Sequence, residues 1–259
     1  MGFTGMTVPA TLVLIHGFPL DSRMWARQRA ALEAAGYRVL TPDLPGFGQS
    51  APWPRQRCSL DAFADEIHRC LEAYAGGPAV VGGLSMGGYV LLALLRRHRQ
   101  AVRAAIFMDT HPAADTPSSR QKRWQLIDAV AAQGVRAVAE AMLPRLLSAT
   151  AGAEVRQAAM ALMLAQDPQG VIGALEAMAR RPDQTDLLPT LSLPVLLIAG
   201  EQDASTPPAV MAAMRDKIPG SRLVEIPRAG HLSNLEAPEE VNAALLHFLH
   251  ELPTSSGAE

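Results

Sequence analysis

The sequence predicts an α/β protein: a mostly parallel sheet of six or seven strands flanked by helices, with an all-helical insertion. Three observations lead there. Short apolar runs alternate with longer helical patterns along the chain. The runs are near-continuous, without in/out alternation, as in strands buried on both faces of a parallel sheet. The interval 111–190 breaks this rhythm: it is rich in Ala, Leu, Met and Arg and has no strand candidate.

In chain order, the expected strands are Thr11–Ile15, Arg38–Asp43, Pro78–Leu84, Ala104–Asp109, Pro194–Gly200 and Arg222–Pro227. Helical patterns cover Ser22–Ala35, Leu60–Ala75, Met86–Arg97, Pro207–Lys217 and Pro238–His250. Gly36 is a helix stop, and Pro207 and Pro238 are first-turn prolines. The insertion reads as three or four amphipathic helices, punctuated by Gly134, Gly152, Pro168 and Pro182. The expected division is therefore a core of residues 1–110 and 191–259 around an insertion of 111–190. The tail Pro253–Glu259 reads as disordered.

Composition removes several functions. Lys and Arg number 23 against 25 Asp and Glu, spread along the chain, so no basic face recruits nucleic acid or an anionic membrane. The two cysteines, Cys58 and Cys70, make neither a disulfide framework nor a metal-ligand pattern. No apolar stretch approaches the roughly 20 residues that span a bilayer, and the N-terminal apolar run lacks a preceding basic residue. The expectation is a cytoplasmic protein, monomeric or homodimeric, acting on a small molecule.

The chemistry concentrates at Gly83-Leu84-Ser85-Met86-Gly87, a G-x-S-x-G pattern between a strand and a helix. Glycine at 83 and 87 removes clashes across the sharp turn that lifts the Ser85 hydroxyl above the sheet's carboxyl edge. A phosphate loop would carry Lys-Ser/Thr after its glycines, and none follows. A serine needs a base oriented by an acid. His231 follows the last strand candidate, and Asp203 follows the one before it, in the order Ser…Asp…His. Asp109 also ends a strand and rivals Asp203; Glu201 is a third candidate. After the first strand, His16-Gly17-Phe18-Pro19 supplies a loop whose Phe18 N–H, with that of Met86, makes a two-donor oxyanion hole. His16 itself reads as a loop-orienting residue.

HGFPLDSRMW, DLPGFGQS (Asp43–Ser50), GLSMGG, GEQD and AGHLSNLEAPEEV (Ala229–Val241) together resemble the recurrent segments of the α/β-hydrolase fold family, in the right order. Within it the chain is most similar to small carboxylesterases, including pimeloyl-carrier-protein methyl esterases and 3-oxoadipate enol-lactonases. The resemblance identifies the insertion with the family's helical cap. It makes Asp43 and the Gly46/Gly48 turn supports of the site loops, and sets Trp53 at the pocket mouth or in packing. It implies a substrate pocket formed by Gly17, Phe18, Met86 and Tyr89 with the cap residues Trp124, Met142 and Met163, although residues of these types also serve as ordinary core. Many members carry a hairpin before the first strand; here Phe3–Val8 is the one candidate for a seventh strand.

Serine at 85 disfavours the aspartate-nucleophile branches, epoxide hydrolases and haloalkane dehalogenases. Tyr37, Tyr74 and Tyr89 also lie outside the insertion, where epoxide hydrolases need tyrosines. The expectation is hydrolysis of small carboxylic esters or lactones through an acyl-enzyme on Ser85, with no metal or organic cofactor. A C–C bond hydrolase or a perhydrolase (haloperoxidase) would use the same three residues, and a hydrolase-derived receptor would keep them with little turnover. An apolar, charge-balanced insertion favours short- to medium-chain neutral esters; Arg123 or Arg145 facing the pocket would favour anionic ones.

Overall fold

The computed structural model describes residues 11–253, so the strand candidate Phe3–Val8 and tail residues 254–259 lie outside the described residues. Six strands, β1 (Thr11–Ile15), β2 (Arg38–Leu40), β3 (Ala79–Leu84), β4 (Val102–Met108), β5 (Val195–Gly200) and β6 (Arg222–Ile226), form one sheet in the order β2-β1-β3-β4-β5-β6. Every pairing is parallel. The chain runs outward from β1 to β2, then crosses back to β3, so the sequence direction reverses between β1 and β3. Ile15, the last residue of β1, pairs with Gly83, one residue before β3 ends. Their following loops therefore emerge side by side at the crevice where open α/β sheets bind ligands.

Apart from Thr11 and Arg103 near their starts, the four central strands are apolar because both faces are covered. Val13, Val81, Phe107 and Leu197 point into one cluster, Leu12, Val80, Ile106 and Leu196 into the other. The first cluster is completed by α2 (Leu60–Tyr74), α3 (Met86–Arg97) and α8 (Pro208–Arg215), through Phe63, Leu91 and Met211. The second is completed by α1 (Ala26–Ala34) and α10 (Pro238–Glu251), through Leu32 and Leu245. Each such side chain contributes about 1.5–3 kcal/mol by leaving water. The edge strands β2 and β6 are only partly buried, having a neighbour on one side alone.

Two boundaries differ from expectation by more than two residues, for local reasons. β2 stops at Leu40 because Asp43 leaves the sheet to accept the Ser22 and Gln49 N–H groups at 2.7 and 2.8 Å. The helix expected from Ser22 begins as a 3-10 turn, Ser22–Trp25, where Asp21 accepts the Arg23 N–H at 3.0 Å. A one-turn helix, α9 (Ser233–Glu236), precedes α10.

Between β4 and β5 lie four helices, α4 (Pro117–Gln133), α5 (Val135–Leu146), α6 (Ala153–Leu164) and α7 (Pro168–Ala179), then a 3-10 turn, Thr185–Thr190. Thr116 and Asp167 cap α4 and α7, each followed by a first-turn proline. Gly134, at φ 77°, parts α4 from α5. The insertion shares the core: Val130 and Val171 join the first cluster, Ala159 and Met163 the second. It thus lies across the carboxyl edge of the sheet and touches both layers. Among the described residues no helix is long and apolar enough to cross a membrane.

Candidate active site

Ser85 stands between β3 and α3 with φ 53° and ψ −112°, a strained conformation for a residue with a side chain. Its surroundings impose that turn. The Ser85 N–H donates to Met108 C=O at 2.9 Å, and the Thr110 hydroxyl donates to Ser85 C=O at 2.8 Å. A methyl group at Gly83 would come within 2.3 Å of Gly87 backbone, and one at Gly87 within 2.2 Å of Ile15 C=O. Both glycines are therefore obligatory, as the pattern predicts.

His231 and Asp203 reach the same edge from the loops after β6 and β5. Asp203 Oδ2 lies 2.6 Å from His231 Nδ1, and both side chains are buried. Asp203 Oδ1 meanwhile accepts the Ser205 and Thr206 N–H groups at 2.7 and 2.9 Å. The carboxylate is thus fixed by backbone on one oxygen and orients the imidazole with the other. Nδ1 carries the proton, and Nε2 is left toward the cavity that His231 lines together with Ser85. Burial opposes charge on the ring, but the hydrogen bond and charge of Asp203, aided by Asp109, outweigh it and hold the His231 pKa above its ordinary 6.5. Arg145 pulls in the opposite direction.

The rival acids are engaged elsewhere. Asp109, fully buried at φ 47°, accepts Gly200 N–H at 2.7 Å and the Ser233 hydroxyl at 2.6 Å. Burial pushes its pKa up to about 7, with His231 lowering it and Asp203 raising it. Asp109 therefore ties the end of β5 to the His231 loop. Glu201 accepts the Arg228 N–H at 2.7 Å on the surface.

Phe18 follows β1, and its loop is locked by His16. Leu44 N–H donates to His16 Nε2 at 3.0 Å, so Nδ1 is the protonated nitrogen and donates to Gly17 C=O at 3.0 Å. Burial lowers the His16 pKa and keeps this tautomer neutral. A methyl group at Gly17 would lie 3.7 Å from Ser85 Cβ, so the loop passes beside the serine. Among the described residues neither Phe18 N–H nor Met86 N–H has a hydrogen-bond acceptor. Asp43 and the Gly48 turn support this loop: a Cβ at Gly48 would strike the Asp43 carboxylate at 2.3 Å.

Ser85 and His231 open into a cavity of about 470 Å³. Phe18, Tyr89 and Met142 line it, as expected; Gly17 and Met86, also expected there, do not. Two further expected wall residues do not reach it. Trp124 points outward, 36% exposed, under the Arg180 guanidinium, and Met163 is fully buried in the second core cluster against the sheet. Trp124 lies on a cavity-lining helix, α4, but on its outer side, whereas α6, which carries Met163, contributes no residue to the cavity wall. Trp53 packs against Phe63 and under Arg57, away from the cavity mouth.

Arg123 and Arg145, the two arginines the sequence offered as pocket-facing, both line the cavity, but the polar cluster that Arg123 joins went unpredicted. Asp115 accepts Arg123 Nε at 2.5 Å and Arg181 at 2.7 Å, both partners largely buried. Arg181 also covers the Tyr89 ring at 4.2 Å and donates to His111 Nε2 at 3.3 Å, where Tyr89 Oη sits at 3.2 Å. Burial, then the Arg181 charge, lowers His111 to about 4, so its ring is neutral with the proton on Nδ1. The one signal available in sequence is the neighbourhood of Thr110-His111 just past a strand end. Among the described residues no His, Cys, Asp and Glu cluster suited to a metal ion occurs.

The family model described as the alpha/beta hydrolase fold matches residues 10–238. The solved structure of a thermophilic esterase from Thermogutta terrifontis, malate bound, is 40% identical with a TM-score of 0.90, covering 95% of this chain and 91% of its own. An enol-lactonase from Burkholderia xenovorans LB400 superposes with a TM-score of 0.83 at 27% identity, covering 94% and 92%. A pimeloyl-[acyl-carrier protein] methyl ester esterase of Aromatoleum aromaticum is 31% identical over 88% of this chain and 94% of its own.

Proposed function

The chain belongs to the alpha/beta hydrolase fold family, and from that premise we propose that it is a serine carboxylesterase working through an acyl-enzyme on Ser85. The observation that carries this reading is the 2.6 Å Asp203–His231 pair at the edge where a glycine-boxed Ser85 faces the same cavity. His231 Nε2 takes the Ser85 proton as Oγ attacks the ester carbonyl, and Asp203 stabilises the imidazolium so formed. The oxyanion takes the free N–H groups of Phe18 and Met86. His231 then protonates the leaving alcohol. Water, deprotonated by the same nitrogen, cleaves the acyl-enzyme and regenerates Ser85.

The esterase, methyl ester esterase and enol-lactonase relatives support hydrolysis at an ester or lactone carbonyl. Rapid mixing with p-nitrophenyl acetate tests the reading. A burst of one p-nitrophenol per chain followed by steady turnover is expected, and a linear trace indistinguishable from buffer rejects it. Burst without turnover would indicate a receptor, and peroxide-dependent halogenation exceeding ester hydrolysis would favour the perhydrolase reading.

A further inference from the structure

We infer that the preferred substrate carries a second carboxylate on its acyl part, and that Arg145 is the side chain that holds it. This deepens the esterase reading and rests on it. The cavity wall is cationic: Lys122, Arg123 and Arg145 line it against one carboxylate, Asp115. Asp115 is already saturated by Arg123 and by Arg181 behind it. Lys122 and Arg145, by contrast, have no carboxylate within 4.0 Å among the described residues. Both are exposed at the cavity rim, so no desolvation has to be overcome to hold them there.

Arg145 is placed by anchored backbone. It occupies the last turn of α5, where its C=O accepts the Ser205 hydroxyl at 3.2 Å and Leu146 C=O accepts Leu232 N–H at 3.0 Å. Those contacts fasten the helix end to the two loops that carry Asp203 and His231. Phe18, Leu126 and Met142 line the same cavity and offer apolar contact to a short methylene chain. A cation that disfavours protonated His231 works against the base unless an anion accompanies the substrate. A planar guanidinium grips a carboxylate bidentately, which selects Arg145 over Lys122 as the principal contact.

The test compares monomethyl succinate, glutarate and adipate with methyl esters of monocarboxylic acids of equal chain length. The readout is the ratio of kcat/KM values, taken on the alkaline plateau where His231 is neutral. Wild type should prefer the anionic series by about tenfold or more, and the preference should shrink as salt is added. Arg145→Gln should lower the ratio about tenfold, while Arg145→Lys retains most of it and the remote Arg222→Gln leaves it unmoved. Neutral esters cleaved as well as anionic ones by wild type, or a ratio insensitive to both salt and Arg145→Gln, overturns the inference alone. Hydrolysis of neither series, with no burst on p-nitrophenyl acetate, overturns the esterase reading and this inference with it.

Discussion

The carboxyl edge of the sheet and the insertion that covers it contribute to one cavity by different physical means. At the sheet edge, backbone does the placing. Ser85, His231 and Asp203 each follow a strand, and the hydrogen-bonded ladder fixes where each strand ends. In the insertion, helix rotation does the placing. Whether Met142 or Met163 faces the cavity depends on how α5 and α6 pack, and no local motif encodes that phase. The comparison teaches that reaction and selectivity are separately specified here. On the proposed reading the edge supplies nucleophile, base and acid, and the insertion charge and shape.

Substitutions at the edge should therefore have the largest effects on rate. Ser85→Ala should lower kcat on an activated ester by about 10⁶ with an unchanged circular dichroism spectrum. Residual turnover above a few per cent would break the assignment of chemistry to the edge. Asp203→Asn should cost about 10⁴, since the wrong imidazole tautomer results. Asp109→Asn should cost less than tenfold, because its oxygens bond Gly200 and Ser233 and leave His231 Nδ1 to Asp203. A reversed order would make Asp109 the orienting acid.

Substitutions in the insertion should act on stability and selectivity. Arg181→Met strands the buried Asp115 carboxylate with one partner fewer and should destabilise the fold by about 3–5 kcal/mol, measured by denaturant unfolding. Trp124→Ala, on the outer face of α4, should leave kcat/KM within about twofold and stability within about 0.5 kcal/mol. A large loss from Trp124→Ala would restore it to the pocket.

Two pH dependences sharpen the same contrast. The base must be neutral, so kcat/KM should rise with pH through a midpoint above 6.5. Because Asp109 raises the His231 pKa, Asp109→Asn should move that midpoint down. Stability should respond oppositely to activity. The fold holds the Asp109 proton up to about 7, whereas the unfolded chain releases it near 3.8. The contribution is complete below the unfolded value and is lost as pH rises toward 7. Thermal melts of Asp109→Asn should therefore decline less between pH 4 and pH 7 than those of wild type.

Most of the edge was legible in the amino-acid sequence, because each residue there is defined by its position relative to a strand. The glycines at 83 and 87 are dictated by contacts to backbone, and His16 by its bond to Leu44 N–H. The central strands were equally legible, being apolar on both faces. β2 was read too long because the Asp43 side chain, not hydropathy, ends it. Less of the wall could be read. Asp115, Arg123 and Arg181 lie up to 66 residues apart and look like ordinary solvated charges until folding buries them together. The expected charge balance of the insertion held for its sequence and failed for its inner face, where the carboxylate is satisfied and cations remain.

Activation of Ser85 by Asp203 and His231 can be measured by reaction with a fluorophosphonate followed by peptide mass spectrometry. One phosphonyl group on Ser85, lost in Ser85→Ala and slowed by orders of magnitude in His231→Ala, is the predicted result. Label on another residue, or none on folded wild-type protein, would contradict it.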